Sequence, residues 1–114
     1  MAEPNTTLMI AQTSCADLDS ARALAQSLVA QRLAACVSIS APVESVYPWQ
    51  GQVEQASEHV LTIKTAPERL AALKAHLAKA HPYEVPEFLA WPVAEGGADY
   101  VAWAEDWMNG DDDA

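Results

Sequence analysis

His81-Pro82-Tyr83-Glu84-Val85-Pro86-Glu87-Phe88-Leu89-Ala90-Trp91-Pro92 sets a histidine, two carboxylates, aromatic rings and three prolines beside an apolar run. Each proline removes a backbone donor and pushes the residue before it towards an extended conformation, so His81, Val85 and Trp91 are biased away from helix. The stretch reads as a stiff lead into a short strand, Phe88 to Trp91, and as the stop of whatever helix precedes it. A rigid segment of this kind can also hold an imidazole and carboxylates in place before a ligand arrives.

Working towards the N-terminus, Leu70, Leu73 and Leu77 form the apolar stripe of a helix that leaves Glu68, Arg69, Lys74, His76 and Lys79 to solvent. Thr65-Ala66-Pro67-Glu68 reads as its capping box, with proline tolerated in the first turn. Before it, a strand is expected from about Val53 to Lys64. Another begins at Cys36, where Val37, Ile39, Ala41 and Val43 alternate with Ser38, Ser40 and Glu44. Tyr47-Pro48-Trp49-Gln50-Gly51 turns between them, giving a long antiparallel hairpin in which Pro42 marks an edge, a bulge or a bend. Ala21, Leu24, Ala25 and Leu28 predict an earlier helix ending near Leu33, capped by Ser14 or Asp17, after a first strand from Thr6 to Thr13.

Towards the C-terminus, Gly96-Gly97 turns the chain and Asp99 caps a last helix carrying Tyr100, Trp103 and Trp107. The order β-α-β-β-α-β predicts an α+β, ferredoxin-like sandwich with an antiparallel sheet, one domain over residues 1–108, and a frayed acidic tail over 109–114. With both helices on one side, the second sheet face needs a cover, for which a further copy of the chain is the simplest source.

Sixteen acidic against six basic residues give a net charge of −10, the wrong sign for a nucleic-acid partner. No apolar run approaches the roughly 20 residues of a membrane helix. The opening Met1-Ala2-Glu3-Pro4-Asn5-Thr6 lacks the basic and apolar regions of a leader, which points to the cytoplasm. Cys15 and Cys36, the only cysteines, fit neither a CxxC motif nor a disulfide scaffold, and Cys36 is expected in the core. No catalytic motif is present, so no enzyme is expected. His59 and His76 are expected at the surface without a role.

HPYEVPE, together with Leu33-Ala34-Ala35-Cys36 and Tyr47-Pro48-Trp49-Gln50-Gly51, resembles the CutA family of divalent-cation tolerance proteins, from about Leu8 to Met108. The resemblance implies a homotrimer in which hairpins and C-terminal segments of neighbours meet, with Trp49, Glu58, Lys64 and Tyr83 lining clefts between subunits. Imidazole and carboxylate suit copper or zinc, and His81, Glu84 and Glu87 are the candidate metal ligands. Copper-binding members carry a cysteine at the end of the first strand and two adjacent histidines before the proline. Here Ala80 replaces the first histidine and Cys15 is expected about two residues past the strand, which predicts weak metal binding. Glu58 and Lys64 share strand parity but stand roughly 20 Å apart, so a site using both must cross strands or chains. The competing reading is a PII-like signalling trimer that binds a small anionic metabolite through Lys64, with no transition metal.

Overall fold

In the computed structural model, which describes residues 6–114, the chain runs β1 (Met9–Cys15), α1 (Leu18–Ala30), β2 (Cys36–Ile39), β3 (Val43–Trp49), β4 (Gln52–Thr65), α2 (Leu70–Ala80), β5 (Leu89–Pro92) and α3 (Ala98–Met108). The sheet is antiparallel in the order β2-β4-β1-β5, and β3 continues along the β2 side of β4. The expected α+β order is present, and the elements differ from expectation mainly at their ends.

The first strand lies later than predicted: β1 runs to Cys15, which pairs with His59, so Cys15 closes the strand instead of sitting in the turn. Asp17 then caps α1, accepting from the Ser20 amide at 2.7 Å. The helix stops at Ala30, short of Leu33, because Arg32 adopts the left-handed conformation (φ 60°). Leu33 N–H donates to Leu28 C=O and Arg32 N–H to Val29 C=O, the pair of bonds that seals a helix C-terminus. A non-glycine residue is uncommon there. The Arg32 side chain gains partners for it, lying 3.8 Å over the Trp107 ring and donating to the Trp107 carbonyl at 2.6 Å.

The two-residue turn Gln50-Gly51, both at positive φ, joins β3 to β4 and leaves Tyr47 to Trp49 in the strand. Between β2 and β3, Ser40, Ala41 and Pro42 oppose only His59 and Val60, so the irregularity at Pro42 is a bulge. Ser40 Oγ accepts from the Val60 amide at 2.8 Å, and His59 Nδ1–H donates to the Ser40 carbonyl at 2.9 Å. His59 therefore pins the bulge. His76, the other histidine expected to be idle, joins the two helices through Ser27 Oγ at 2.9 Å.

Ala21, Leu24, Ala25 and Leu28 of α1 and Leu73 and Leu77 of α2 pack on Ala11, Cys15, Leu61 and Ile63 of the sheet. Alternate residues on the opposite face, Ile10, Thr62, Lys64, Leu89 and Trp91, are half-buried or exposed. Cys36, opposite Lys64, belongs to that face and not to the core. The last helix, α3, packs at one end of the sheet through Ala104 and Met108 against Leu8, Ala35 and Ala66. Tyr100 and Trp103 are exposed and Trp107 half-buried, so the small Ala104 and the flexible Met108 make the packed face. Gly97, without a side-chain bond, occupies the cap position expected for Asp99. Gly96 has a different constraint: a Cβ there would lie 2.8 Å from Val101 Cγ2. The acidic residues after α3 are not frayed. Asp111 N–H donates to Asp106 C=O, and Arg32 bonds the Asp111 carbonyl and pairs with Asp112.

The capping box is not formed. Thr65 Oγ1 instead donates to the half-buried Leu33 carbonyl at 2.7 Å, and the next turn, Pro67–Arg69, is a 3-10 turn with no side-chain cap. Thr65→Val should therefore cost about 1–2 kcal/mol, because it leaves that carbonyl unpaired. Glu68→Ala should change stability by less than about 0.5 kcal/mol. Urea unfolding of the two variants checks the order, and equal losses would restore the capping box.

Candidate functional site

β1 ends opposite His59, so β4 loses its partner on that side just where Glu58 turns towards the β1 edge. The segment after α2 fills the gap. His81 caps α2, its amide bonded to the Leu77 carbonyl, and its ring is buried. Nε2–H donates to the Ser14 carbonyl at 2.7 Å, and Nδ1 accepts the Tyr83 amide at 3.1 Å. The two bonds require a neutral ring with its proton on Nε2. Both nitrogens are thereby occupied. Cys15 Sγ lies 3.8 Å from Nε2.

Tyr83, held by that contact, sends its hydroxyl to Glu58 Oε2 at 2.7 Å, and Ser14 Oγ donates to the same oxygen at 3.0 Å. Glu58 is 9% exposed. Burial works against its ionisation, but the hydrogen bonds of Tyr83, Ser45 and Ser14 outweigh it and hold its pKa below the ordinary glutamate value. Burial and the adjacent Glu58 carboxylate push the Tyr83 phenol up, and burial with the Asp17 and Glu58 charges pushes the Cys15 thiol up. Cys15 is thus a protonated thiol and a poor nucleophile.

A pocket of about 750 Å³ opens over Glu58, between the hairpin and the Pro82–Glu87 segment. Trp49, Glu58, Tyr83, Glu84 and Glu87 all line it, together with Ser14, Ser45 and Tyr47. Glu84 and Glu87 are both exposed, and Glu87 Oε2 accepts from Gln12 Nε2 at 3.2 Å. His81 lies beneath the lining, and Lys64 is outside it, towards the other end of β4. Ser45 was not singled out in the sequence, and Ser14 was read there only as a candidate helix cap. Ser14 would have been legible had β1 been carried on to Cys15, since it then shares a face with Ile10 and Gln12.

Residues 9–107 match the family model described as CutA1 divalent ion tolerance protein. The chain is 45% identical over 83 residues to the divalent-cation tolerance protein CutA of Thermus thermophilus, covering 73% of this chain and 81% of that one. It belongs to the CutA1 family. The Pectobacterium atrosepticum protein of the same name is also 45% identical, covering 73% and 76% of the two chains. The crystal structure of CutA from Xylella fastidiosa superposes with a TM-score of 0.88 at 35% identity, covering 90% of this chain and 99% of that one. None of these names states a catalytic activity.

The family's description names divalent ions, and the donors of one chain do not close around such an ion. Among the described residues no three His, Cys, Asp or Glu side chains come together as a metal cage. His81, Glu84 and Glu87 are near in sequence but are not brought together as a ligand set. A metal at Nε2 would have to displace the Ser14 carbonyl.

Glu58 also makes the fold sensitive to acid. A carboxyl whose folded pKa lies below its unfolded one stabilises the fold above the ordinary glutamate range, and that contribution is lost as pH falls through the lower folded value. Glu58→Gln should cost about 1–3 kcal/mol at neutral pH and flatten the acid limb of the stability curve. Tyr83→Phe should flatten it in part. Denaturant midpoints measured from neutral to acid pH check both, and an unchanged acid limb in Glu58→Gln would show that other groups set it.

Proposed function

We propose that this chain serves divalent-cation tolerance as a cytoplasmic homotrimer whose acidic pocket, completed by a neighbouring copy, holds a divalent cation weakly and catalyses nothing. The observation that carries the reading is the pocket lining: three carboxylates, Glu58, Glu84 and Glu87, and no lysine or arginine. Such a site attracts cations and repels anions. Weakness is expected because one chain supplies no three-ligand cage, and because His81 joins copper or zinc only by giving up one of its ring bonds, that to the Ser14 carbonyl or that from the Tyr83 amide. Oxygen donors from a neighbour would complete the shell.

The trimer finds support in the strand order, which we read as ferredoxin-like, and in the surfaces it leaves open. Leu89 and Trp91 stand exposed on the sheet face away from α1 and α2, and Val46, Trp49 and Val53 stand exposed on the hairpin. Free thiols at Cys15 and Cys36 suit a reducing compartment. The competing reading, a PII-like trimer binding an anionic metabolite through Lys64, would need a cleft other than this pocket, because Lys64 does not line it.

Sedimentation at micromolar protein should give three times the 12.2 kDa chain. Trp49→Ala should weaken assembly by about 2 kcal/mol or more, whereas Trp107→Ala should weaken it less, since Trp107 Nε1–H is bonded to Val29 C=O within its own chain. A 12.2 kDa species would remove the intersubunit site. Calorimetric titration with zinc and copper(II) should give weak binding that Glu84→Gln reduces. Heat with a nucleotide panel and none with metals would favour the anionic reading instead.

A further inference from the structure

The pocket is aromatic as well as acidic. Trp49 and Tyr47 lie on the hairpin side and Tyr83 on the other, with Val46 and Val85 extending the apolar wall. Its volume of about 750 Å³ is far beyond what a bare metal ion fills, and falls within the roughly 300–1,000 Å³ of small-molecule sites. Its floor is Glu58, nine-tenths buried and hydrogen-bonded by Tyr83 and Ser14.

We propose that this pocket binds an aliphatic ammonium ion, a protonated amine on an alkyl chain, as its organic ligand. The inference rests on the reading of the pocket as a cation site and narrows the class of cation. A divalent metal needs several oxygens converging at about 2.0–2.6 Å. Among the described residues no such group of acidic or imidazole side chains exists. An alkylammonium makes no such demand. Its charge can sit between separated carboxylates, its N–H groups donate to them, its methylenes lie against Val46 and Val85, and the cation is drawn to the faces of Trp49, Tyr47 and Tyr83. Glu58, Glu84 and Glu87 come from β4 and from two points of the Pro82–Glu87 segment. That spread suits a ligand carrying charge at both ends, and a short diamine is the appropriate probe.

Calorimetric titration of the full chain in its solution assembly with butane-1,4-diamine tests this, with butane-1,4-diol as the neutral analogue. The diamine should bind and the diol should not. Glu84→Gln, at an exposed position, should weaken the diamine about fivefold or more, and Trp49→Ala about fivefold, with Trp49→Phe restoring most of the loss. Glu68→Gln, beyond the far end of β4, should leave affinity unchanged. That control separates a site from the general attraction of a chain of net charge −10. Should Glu68→Gln and Glu84→Gln weaken binding equally, the attraction is diffuse and the proposal falls. It falls also if diol and diamine bind alike, or if the diamine gives no heat. Zinc or copper binding without diamine binding would leave the cation-tolerance reading intact and sink only this one, whereas diamine binding without metal binding would do the reverse.

Discussion

β4 is longer than the sheet it belongs to, and the rest of the molecule follows from that mismatch. On one edge its 14 residues pair first with β3 and then, past the bulge, with β2. On the other edge β1 accompanies it only from Thr65 to His59. Residues Gln52–Glu58 therefore have no strand on that side among the described residues. An unpaired edge leaves donors and acceptors that must be satisfied or exposed. Near the sheet body the Pro82–Glu87 segment moves in beside it, and the pocket is the space left between the two. Farther out nothing among the described residues covers the hairpin, and Val53 is 78% exposed. One difference in strand length thus produces both the candidate site and the exposed hairpin surface.

The segment that fills the gap can do so because it is rigid and because its first residue is anchored twice. His81 ends α2 through its backbone and ties β1 to the segment through its ring, giving a proton to the Ser14 carbonyl and accepting the Tyr83 amide. Those bonds place the Tyr83 ring, whose centroid lies 4.9 Å from that of His81, so that its hydroxyl reaches Glu58. Prolines on either side limit the conformations lost on ordering. The histidine that looked like a ligand is a strut for the residue that lines the pocket.

Periodicity made the order of elements legible, since alternation from Cys36 and the leucine stripe of α2 each admit one assignment. The organising stretch read correctly as a helix stop followed by a short strand. Cys15 was misplaced because Thr13-Ser14-Cys15 carries no strong strand signal, and the pairing of Cys15 with His59 comes from β4, far away in sequence. Thr65 and Glu68 have the spacing of a capping box, yet the half-buried carbonyl of Leu33 competed for the hydroxyl and won. The sequence placed Tyr100, Trp103 and Trp107 on α3 without fixing the face through which the helix packs. The site it packs into, against Ala35 and Ala66, accommodates Ala104 and Met108. In the candidate site, Trp49, Glu58, Tyr83, Glu84 and Glu87 line one pocket of the single chain. Lys64 is not, because strand rise carries it away from Glu58.

What distinguishes this pocket electrostatically is the kind of donor that holds Glu58. Burying a carboxylate is costly unless it is paired or hydrogen-bonded, and a lysine or arginine would both satisfy it and cancel its charge. Here the hydrogen bonds come from neutral hydroxyls, those of Tyr83, Ser14 and Ser45. Such donors stabilise the ion without neutralising it, so its field persists at the pocket floor. Glu84 and Glu87 add the same sign at the rim, and the net charge of −10 leaves little nearby to offset them. A cation entering the pocket gains from each of these groups. An anion would meet three like charges, and the only compensation would have to come with the ligand or from a neighbouring copy.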